Sequence, residues 1–163
     1  MPGFYMSNIP GGMFRRSPPN NAFTFSLPTT PNAKIPLFDP ADTGKYIKAA
    51  VLHRDALLGK RLLSATEYLS AQQVVNAFKK VFPEAGKDAS FYSVPAEKFK
   101  EILKGQGMPD FAAQEFLENM QLLDQFGYYG GASLDETHKL VEDKLTTWEE
   151  HMKASKKWGE ELK

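Results

Sequence analysis

The placement of proline restricts this chain more than any other feature of its sequence. Eight of the eleven prolines lie in the first 40 residues, at positions 2, 10, 18, 19, 28, 31, 36 and 40. Proline has no backbone N–H and disfavours the helical conformation of the residue before it. The first 40 residues are therefore predicted to form loops and short strands, with the helices after them.

Two strands are predicted within this proline-rich part. Residues 23–27 alternate apolar and polar side chains, as a half-buried strand does. Residues 34–38 are a weaker candidate, and Pro36 places them at a sheet edge because proline cannot donate a ladder hydrogen bond. Two further short strands are predicted at residues 60–66 and 89–94, where apolar runs are bounded by polar residues.

A helix is predicted to begin at Asp42, a residue that can serve as its N-cap, and to run to about His53. Helical spacing then defines one apolar face. The residues on that face are Tyr46, Ile47, Ala50 and Val51.

Later helices have recognisable starts. Ser70 with Gln73 and Thr146 with Glu149 have the spacing of capping boxes, and Asp110 is predicted to begin the longest helix. Short strands among about five helices indicate a mixed α/β fold. Only about four strands are found, too few for a covered parallel sheet, so the sequence looks like part of a domain.

Composition excludes several classes of function. Lys+Arg and Asp+Glu both total 20, and a net charge of zero argues against direct nucleic-acid binding. Without cysteine there are no thiolate metal sites and no cysteine nucleophile. No apolar run reaches the roughly 18 residues of a membrane span, and the first residues do not resemble a signal peptide. We expect no membrane partner and a cytoplasmic or nuclear location.

No catalytic or metal-binding motif is found. Residues 105–110 begin like a dinucleotide fingerprint, but they follow a helix and end in Asp, so a helix end and turn are predicted. No tyrosine has a lysine four residues later, so the Tyr-x-x-x-Lys acid/base pair of many reductases is absent. His53 is predicted at a helix end, and His138 and His151 on charged helical faces, without the spacing of metal ligands.

Two aromatic segments are candidate binding elements. Residues 2–8 (PGFYMSN) place a Pro-Gly turn before bulky aromatic side chains, as expected where a strand ends beside a ligand. Residues 126–131 (FGYYGG) can be a flexible loop that closes over a pocket. Alternatively, Gly127 ends a helix and the two tyrosines cover the core, which is the favoured interpretation.

Five segments, taken in order, resemble the NmrA-like family of atypical short-chain dehydrogenase/reductases. They are residues 2–8, residues 35–39 with 42–44, residues 59–63, residues 91–95 and residues 145–150. The resemblance covers nearly the whole chain and is to the C-terminal half of family members only. The implied fold is α/β: the C-terminal portion of a Rossmann-type NAD(P)-binding fold with a smaller mixed α/β subdomain, and without the N-terminal glycine-rich half.

The resemblance also implies an organisation for residues 1–163, a partial NmrA-like domain that starts just after the sixth Rossmann strand, with Met1 an internal methionine. Residues 1–10 are expected to end the nicotinamide-side loop. Residues 11–66 are expected to form loops, short strands and one helix, with 60–66 at the edge of the Rossmann sheet. Residues 67–163 are expected to form a mostly helical C-terminal subdomain.

A few ligand positions carry over from the family. The implied cofactor-binding residues, beside the nicotinamide half of NADP or NAD, are Phe4, Tyr5, Met6 and Ser7. The implied residues of a substrate or partner cleft are Asn8, Tyr128 and Tyr129. Asp39, Asp42 and Thr43 are expected to cap the following helix rather than contact ligand. No catalytic residue and no metal ligand is assigned.

The resemblance implies an NAD(P)-binding, redox-sensing protein that regulates transcription through a transcription factor or another regulatory protein. The alternative is an NAD(P)H-dependent reductase of the isoflavone-reductase or quinone-reductase type, and the sequence leaves open whether the protein is an enzyme. Without a glycine-rich half, the chain is expected to bind no cofactor alone, to expose apolar surface and to self-associate.

Overall fold

The computed structural model describes residues 1–162, which form six strands and nine α-helices. The strands are β1 (Phe4–Tyr5), β2 (Phe14–Ser17), β3 (Ala22–Leu27), β4 (Lys34–Phe38), β5 (Glu67–Ser70) and β6 (Ser90–Ser93). The helices are α1 (Thr43–Leu52), α2 (Arg54–Leu57), α3 (Ala71–Val81), α4 (Pro83–Gly86), α5 (Ala96–Gly105), α6 (Asp110–Gln125), α7 (Asp135–His138), α8 (Trp148–Ala154) and α9 (Lys156–Glu161). Short 3-10 turns cover Met6–Asn8 and Pro40–Asp42.

The described strands form two three-stranded sheets, and both sheets are mixed. In the order β1-β4-β5, strand β4 runs parallel to β1 and antiparallel to β5. In the order β2-β3-β6, strand β3 runs antiparallel to β2 and parallel to β6. Parallel neighbours need long connections, and helices fill much of the connection between β3 and β6. The strands predicted at residues 23–27, 34–38 and 89–94 are confirmed, as is the mixed α/β class.

Strand β4 lies at the centre of its sheet, so the edge position predicted from Pro36 is wrong. Strand β1 pairs only with Leu37 and Phe38 of β4. The pairing between β1 and β4 does not include Pro36, so the absence of a proline N–H costs no hydrogen bond on the β1 side of the strand.

Residues 60–66 do not form the predicted strand. The Gly3 N–H donates to the Ser64 carbonyl at 2.8 Å, whereas the Thr66 N–H donates to the Leu37 carbonyl at 2.8 Å. The backbone groups of this segment are thus divided between two neighbours, and the regular ladder begins only at β5.

An aromatic core joins the second sheet to helices α3 and α9. The ring centroid of Phe78 on α3 lies 4.7 Å from that of Phe14 on β2 and 5.0 Å from that of Trp158 on α9. All three side chains are fully buried, and burial of a large apolar side chain contributes about 1.5–3 kcal/mol. Alternate residues of β3, Phe23 and Phe25 among them, face the same core, as their alternation predicted.

Helix α1 has the predicted bounds, but the Asp42 side chain makes no cap hydrogen bond to it, so the predicted capping role of Asp42 is wrong. Much of the apolar face of α1 is exposed. Tyr46 is buried, whereas Ile47 and Val51 are 59% and 64% exposed, so only part of the predicted apolar face packs in the core. Leu52, also exposed, continues the apolar strip on this outward side. We call Ile47, Val51 and Leu52 the α1 face.

One of the two capping boxes is found where it was predicted. Ser70 caps α3 in a complete box, whereas the box of α8 uses Thr147 and Glu150, one residue later than predicted. Thr146 instead donates its N–H and its hydroxyl to the buried Asp42 carboxylate, at 2.6 and 3.0 Å. Local spacing assigned the Thr146 side chain to the cap of α8. In the structure this side chain instead contacts Asp42, 104 residues away in sequence.

His151 was predicted on a charged helical face, but the structure leaves its side chain only 11% exposed. Its Nδ1 lies 2.9 Å from Asp39 Oδ2, and its ring stacks on Trp148 with centroids 5.7 Å apart. Asp39 also accepts from the Ala41 N–H at 2.9 Å, the capping role expected for it. The Asp39–His151 pair thereby connects helix α8 to the residues just after β4.

Gly3 lies where the first sheet leaves no room for a side chain. A Cβ at this position would be 2.4 Å from the Pro36 carbonyl oxygen and 3.2 Å from the Ala65 Cβ. The Pro36 oxygen is a backbone atom of the central strand, so it cannot move aside without disturbing β4.

We therefore predict that Gly3→Ala lowers the free energy of unfolding by about 2 kcal/mol, because the methyl group overpacks the site. The matched control is Gly44→Ala in helix α1, where a Cβ meets no atom within 4 Å. Alanine is the better helix former by up to about 1 kcal/mol, so this variant should be no less stable than the parent. Urea unfolding followed by tryptophan fluorescence measures both. A Gly3→Ala variant of parental stability would contradict the close approach.

Candidate functional site

A cavity of about 630 Å³ opens between the first strand, the second sheet and helices α5 and α6. The beginning of the chain contributes Pro2, Gly3, Phe4, Tyr5 and Asn8. The strands and their neighbouring loops contribute Gly12, Met13, Arg15, Ser26 and Val94. The helices and the segments after them contribute Phe99, Ile102, Leu103, Gln106, Phe116, Asn119, Met120 and Tyr128.

Helices α5 and α6 form the apolar wall of this cavity. Phe99, Ile102 and Leu103 share one face of α5 through their i, i+3 and i+4 spacing. The face is not buried in the core, however: Ile102 is 37% exposed, and Phe116 of α6 is 49% exposed. Both side chains line the cavity, so apolar surface on these helices is available to a ligand.

The two tyrosines after α6 fix the beginning of the chain. Gly127 follows α6 with φ +72°, and its N–H donates to the Leu122 carbonyl, so it ends the helix as the favoured interpretation held. The Tyr129 hydroxyl lies 3.0 Å from the Met1 carbonyl oxygen, and the Tyr128 hydroxyl lies 3.4 Å from that of Pro2. The loop therefore holds the segment that leads into β1.

Four of the seven residues assigned by resemblance come together at the cavity. They are Phe4, Tyr5, Asn8 and Tyr128. Phe4 is 8% exposed and Tyr5 is 40% exposed, so the Tyr5 ring offers the larger surface to a ligand. Tyr5 also packs against Phe38 with ring centroids 5.4 Å apart, and this contact supports its ring from behind.

Met6, Ser7 and Tyr129 do not belong to the cavity lining. The Met6 side chain is fully buried in the core, and Ser7 is exposed outside the lining. The 3-10 turn at Met6–Asn8 directs these successive side chains differently and brings only Asn8 into the cavity. Tyr129 is buried against Ala65 and has a structural role in this fold.

Burial raises the pKa of the Tyr129 phenol well above its ordinary value. The hydroxyl therefore stays protonated at neutral pH and donates to the Met1 or the Ser64 carbonyl, 3.0 and 3.3 Å away.

The cavity lining contains a single charged side chain, Arg15. Its other polar side chains are neutral amides and hydroxyls, and among residues 1–162 it includes no His, Asp, Glu, Lys or Cys, the usual acid/base groups near neutral pH. The described residues contain no cluster of three potential metal-ligating side chains. Within residues 1–162, no helix has the length and apolar character needed to cross a membrane.

Sequence reasoning missed several residues of this site. The spacing of Phe99, Ile102 and Leu103 marks an apolar side of α5, but helical spacing cannot distinguish a face that packs in a core from one that borders a cavity. Arg15 received no functional assignment from the sequence, although strand alternation would separate it from Arg16 by placing successive residues on opposite faces. Strand β2 itself was not predicted, so this signal was not used.

A family model described as the NmrA-like family matches residues 1–152. Among solved structures, the chain is similar to NmrA, a negative transcriptional regulator, in a monoclinic crystal form, with 20% identity and a TM-score of 0.63. It is equally similar to NmrA in complex with NADP and in complex with NAD, at 21% identity and a TM-score of 0.63 each. No curated protein sequence matches significantly.

The fold is that of one half of an NmrA-type α/β protein, since these alignments cover 99% of this chain and 52% of the solved chains. The chain belongs to the NmrA-like family. It spans about half the length of the solved structures that it matches. The resemblance deduced from five short segments and the implied fold class are both confirmed.

The Tyr129 contacts yield a test of the fold around the site. Tyr129→Phe removes one buried hydrogen bond, and we predict a loss of about 1 kcal/mol in the free energy of unfolding. A raised pKa means that the folded state favours the protonated phenol, so this contribution is complete below pH about 10 and is lost as pH rises further. The free energy of unfolding of Tyr129→Phe should therefore fall less than that of the parent as pH rises above about 10.

Urea unfolding between pH 7 and 11 measures this difference. Tyr92→Phe is the matched control, since Tyr92 is 52% exposed; it should match the parent throughout. Identical alkaline profiles for the parent and Tyr129→Phe would show that Tyr129 is not held as described.

Proposed function

We propose that this chain is the ligand-binding half of a dinucleotide-dependent regulatory protein of the NmrA-like family. It would supply the wall beside the nicotinamide of NADP or NAD and the adjoining cavity. The observation that carries the proposal is the exposed Tyr5 ring beside Phe4 and Asn8 at the cavity of about 630 Å³. Family membership supports it, as do the solved NmrA structures in complex with NADP and with NAD.

The residues of the cavity fit the nicotinamide end of a dinucleotide better than its pyrophosphate. A flat aromatic ring such as Tyr5 can pack on nicotinamide, and the Asn8 amide can exchange hydrogen bonds with a carboxamide. A pyrophosphate is usually bound by a glycine-rich turn that opens a helix, and this sequence contains no such strand–turn–helix motif. The phosphates would be held by residues outside this sequence, so the chain by itself would form an incomplete site.

The exposed α1 face supports the same proposal. Ile47, Val51 and Leu52 present adjoining apolar side chains that are 59–64% exposed. Nearby, Ile47 shares a smaller cavity with Met1 and Tyr5. Apolar surface of this kind commonly marks an interface. A nucleotide-binding half packed on the α1 face would lie next to Tyr5, where the nicotinamide is needed.

The lining of the cavity favours binding over catalysis. Its titratable side chains are Arg15 and the phenols of Tyr5 and Tyr128, and no tyrosine has a lysine four residues later. A redox-sensing protein needs only to bind the cofactor and to contact its partner. Such a regulator would act in the cytoplasm or the nucleus, through a transcription factor or another regulatory protein.

A second candidate function is an NAD(P)H-dependent reductase of the isoflavone-reductase or quinone-reductase type. The apolar cavity favours it, because its volume lies within the range of about 300–1,000 Å³ that small-molecule sites have. Bound NAD(P)H would supply a hydride. The residues of this chain would position the acceptor and exclude water, and a proton donor would come from elsewhere. Consumption of NADPH with quinone or enone acceptors would decide for the reductase.

Calorimetric titration with NADP tests the proposal. We expect the 163-residue chain alone to show no saturable binding up to about 1 mM, and the chain assembled with an NmrA-type nucleotide-binding half to bind in the micromolar range. In the assembled protein, Tyr5→Ala should weaken NADP binding about five- to tenfold, the effect of losing one aromatic contact.

Tyr92→Ala, at an exposed tyrosine outside the cavity, is the control and should bind like the parent. An assembled protein that binds no NADP, or that binds equally well after Tyr5→Ala, contradicts the proposed nicotinamide wall. Micromolar binding by the chain alone would instead contradict the incomplete site.

A further inference from the structure

We infer that the cavity beside Phe4 and Tyr5 takes a small apolar molecule that carries one carboxylate, and that Arg15 recognises this carboxylate. The inference deepens the proposed function and rests on it, because it concerns the ligand of the same cavity. It assigns a ligand class and a specificity residue, and it applies to a regulatory ligand as well as to a substrate.

The size and lining of the cavity indicate an apolar body. At about 630 Å³ the space suits a small organic molecule and is too narrow for a folded partner. Ile102 and Phe116 are 37% and 49% exposed although they border the cavity. An apolar ligand would cover this surface and remove it from water, which is the main source of affinity at such a site.

The charge of the cavity indicates one anionic group. Arg15 is the only charged side chain of the lining, and within residues 1–162 it has no carboxylate within 4.0 Å. Its neighbour Arg16 is held differently: it donates to the Asn21 carbonyl and lies 4.5 Å from the centre of the Phe23 ring. The Arg15 guanidinium is therefore available to an incoming anion.

A carboxylate matches this arrangement better than a phosphate or a pyrophosphate. A guanidinium binds a carboxylate through two parallel N–H···O bonds, and one arginine balances one negative charge. The chain as a whole has a net charge of zero, so no broad positive field attracts polyanions. Recognition would then depend on the single contact to Arg15 within an otherwise uncharged cavity.

Neutral amides around the cavity can orient such a ligand. The side-chain amides of Asn8 and Gln106 line the cavity, and no hydrogen bond of either amide is found within the described part of the chain. Each provides donors and an acceptor. Gln106 would bind a hydroxyl or carbonyl group on the apolar body, and Asn8 would do so where its amide is not used by nicotinamide, whereas Arg15 would bind the carboxylate.

Two probes of the same shape separate the charge from the apolar body. 1-Naphthylacetate carries one carboxylate, and 1-naphthylacetamide is its neutral counterpart. We expect the 163-residue chain to bind the carboxylate about tenfold more tightly than the amide, because an arginine–carboxylate pair is lost with the amide. NMR titration measures both affinities and locates the probe. The methyl signals of Ile102 and Met120 should shift, and those of Ile47 and Val51 on the α1 face should not.

Substitutions assign the preference to Arg15. Arg15→Gln should bind the two probes with equal affinity, whereas Arg15→Lys should keep part of the preference because the charge is retained. Arg61→Gln is the matched control, since Arg61 is exposed and does not line the cavity; it should behave like the parent. Urea midpoints of all variants should agree, because Arg15 is an exposed strand residue.

The inference would be overturned by no binding of either probe at millimolar concentration, by equal affinities for both probes in the parent, or by a preference that survives Arg15→Gln. Binding on the α1 face instead of the cavity would also overturn it. None of these measurements requires a dinucleotide. A failure of the NADP titration with Tyr5→Ala therefore bears on the proposed nicotinamide wall, and a failure here bears on the inferred carboxylate ligand of the cavity.

Discussion

The aromatic contact between the second sheet, helix α3 and helix α9 determines what the cavity can present. Phe14 and Phe23 must face Phe78 and Trp158 on the buried side of the sheet. Because successive strand residues point to opposite faces, Arg15 and Ser26 are then directed to the other side, where they line the cavity. A slip of one residue in either strand would exchange these sets, so the burial of the aromatic rings also fixes the chemistry of the site.

Close backbone packing at Gly3 positions the aromatic wall of the cavity, which Phe4 and Tyr5 form. Gly3 lets the first residues approach the central strand more closely than any side chain allows, and Tyr129 holds the same segment through the Met1 and Ser64 carbonyls. Phe4 and Tyr5 follow directly and reach the cavity. The aromatic wall is thus positioned by backbone packing and a buried hydroxyl, while helices α5 and α6 supply the opposite wall.

The cavity and the α1 face differ in chemistry. The cavity combines apolar side chains with one guanidinium and several neutral amides, as expected for a small ligand. The α1 face is apolar and open, as expected for a protein surface. Tyr5 borders both this cavity and the smaller one beside the α1 face. In our proposal this residue lies where the nucleotide-binding half, the nicotinamide and the ligand meet.

The sequence by itself determined the features that depend on neighbouring residues. The alternation of apolar and polar residues predicted β3, and the spacing of Ser70 and Gln73 predicted the start of α3. The order of five short segments indicated the family. Four of the seven proposed ligand residues do meet at the cavity. Only the tertiary structure decided the central position of β4, the irregular path of residues 60–66, the burial of Met6 and Tyr129, the outward side of α1 and the place of Arg15 in the cavity lining. Each depends on contacts between segments far apart in sequence, such as Asp42 with Thr146 and Tyr129 with Met1, which local spacing and propensity do not encode.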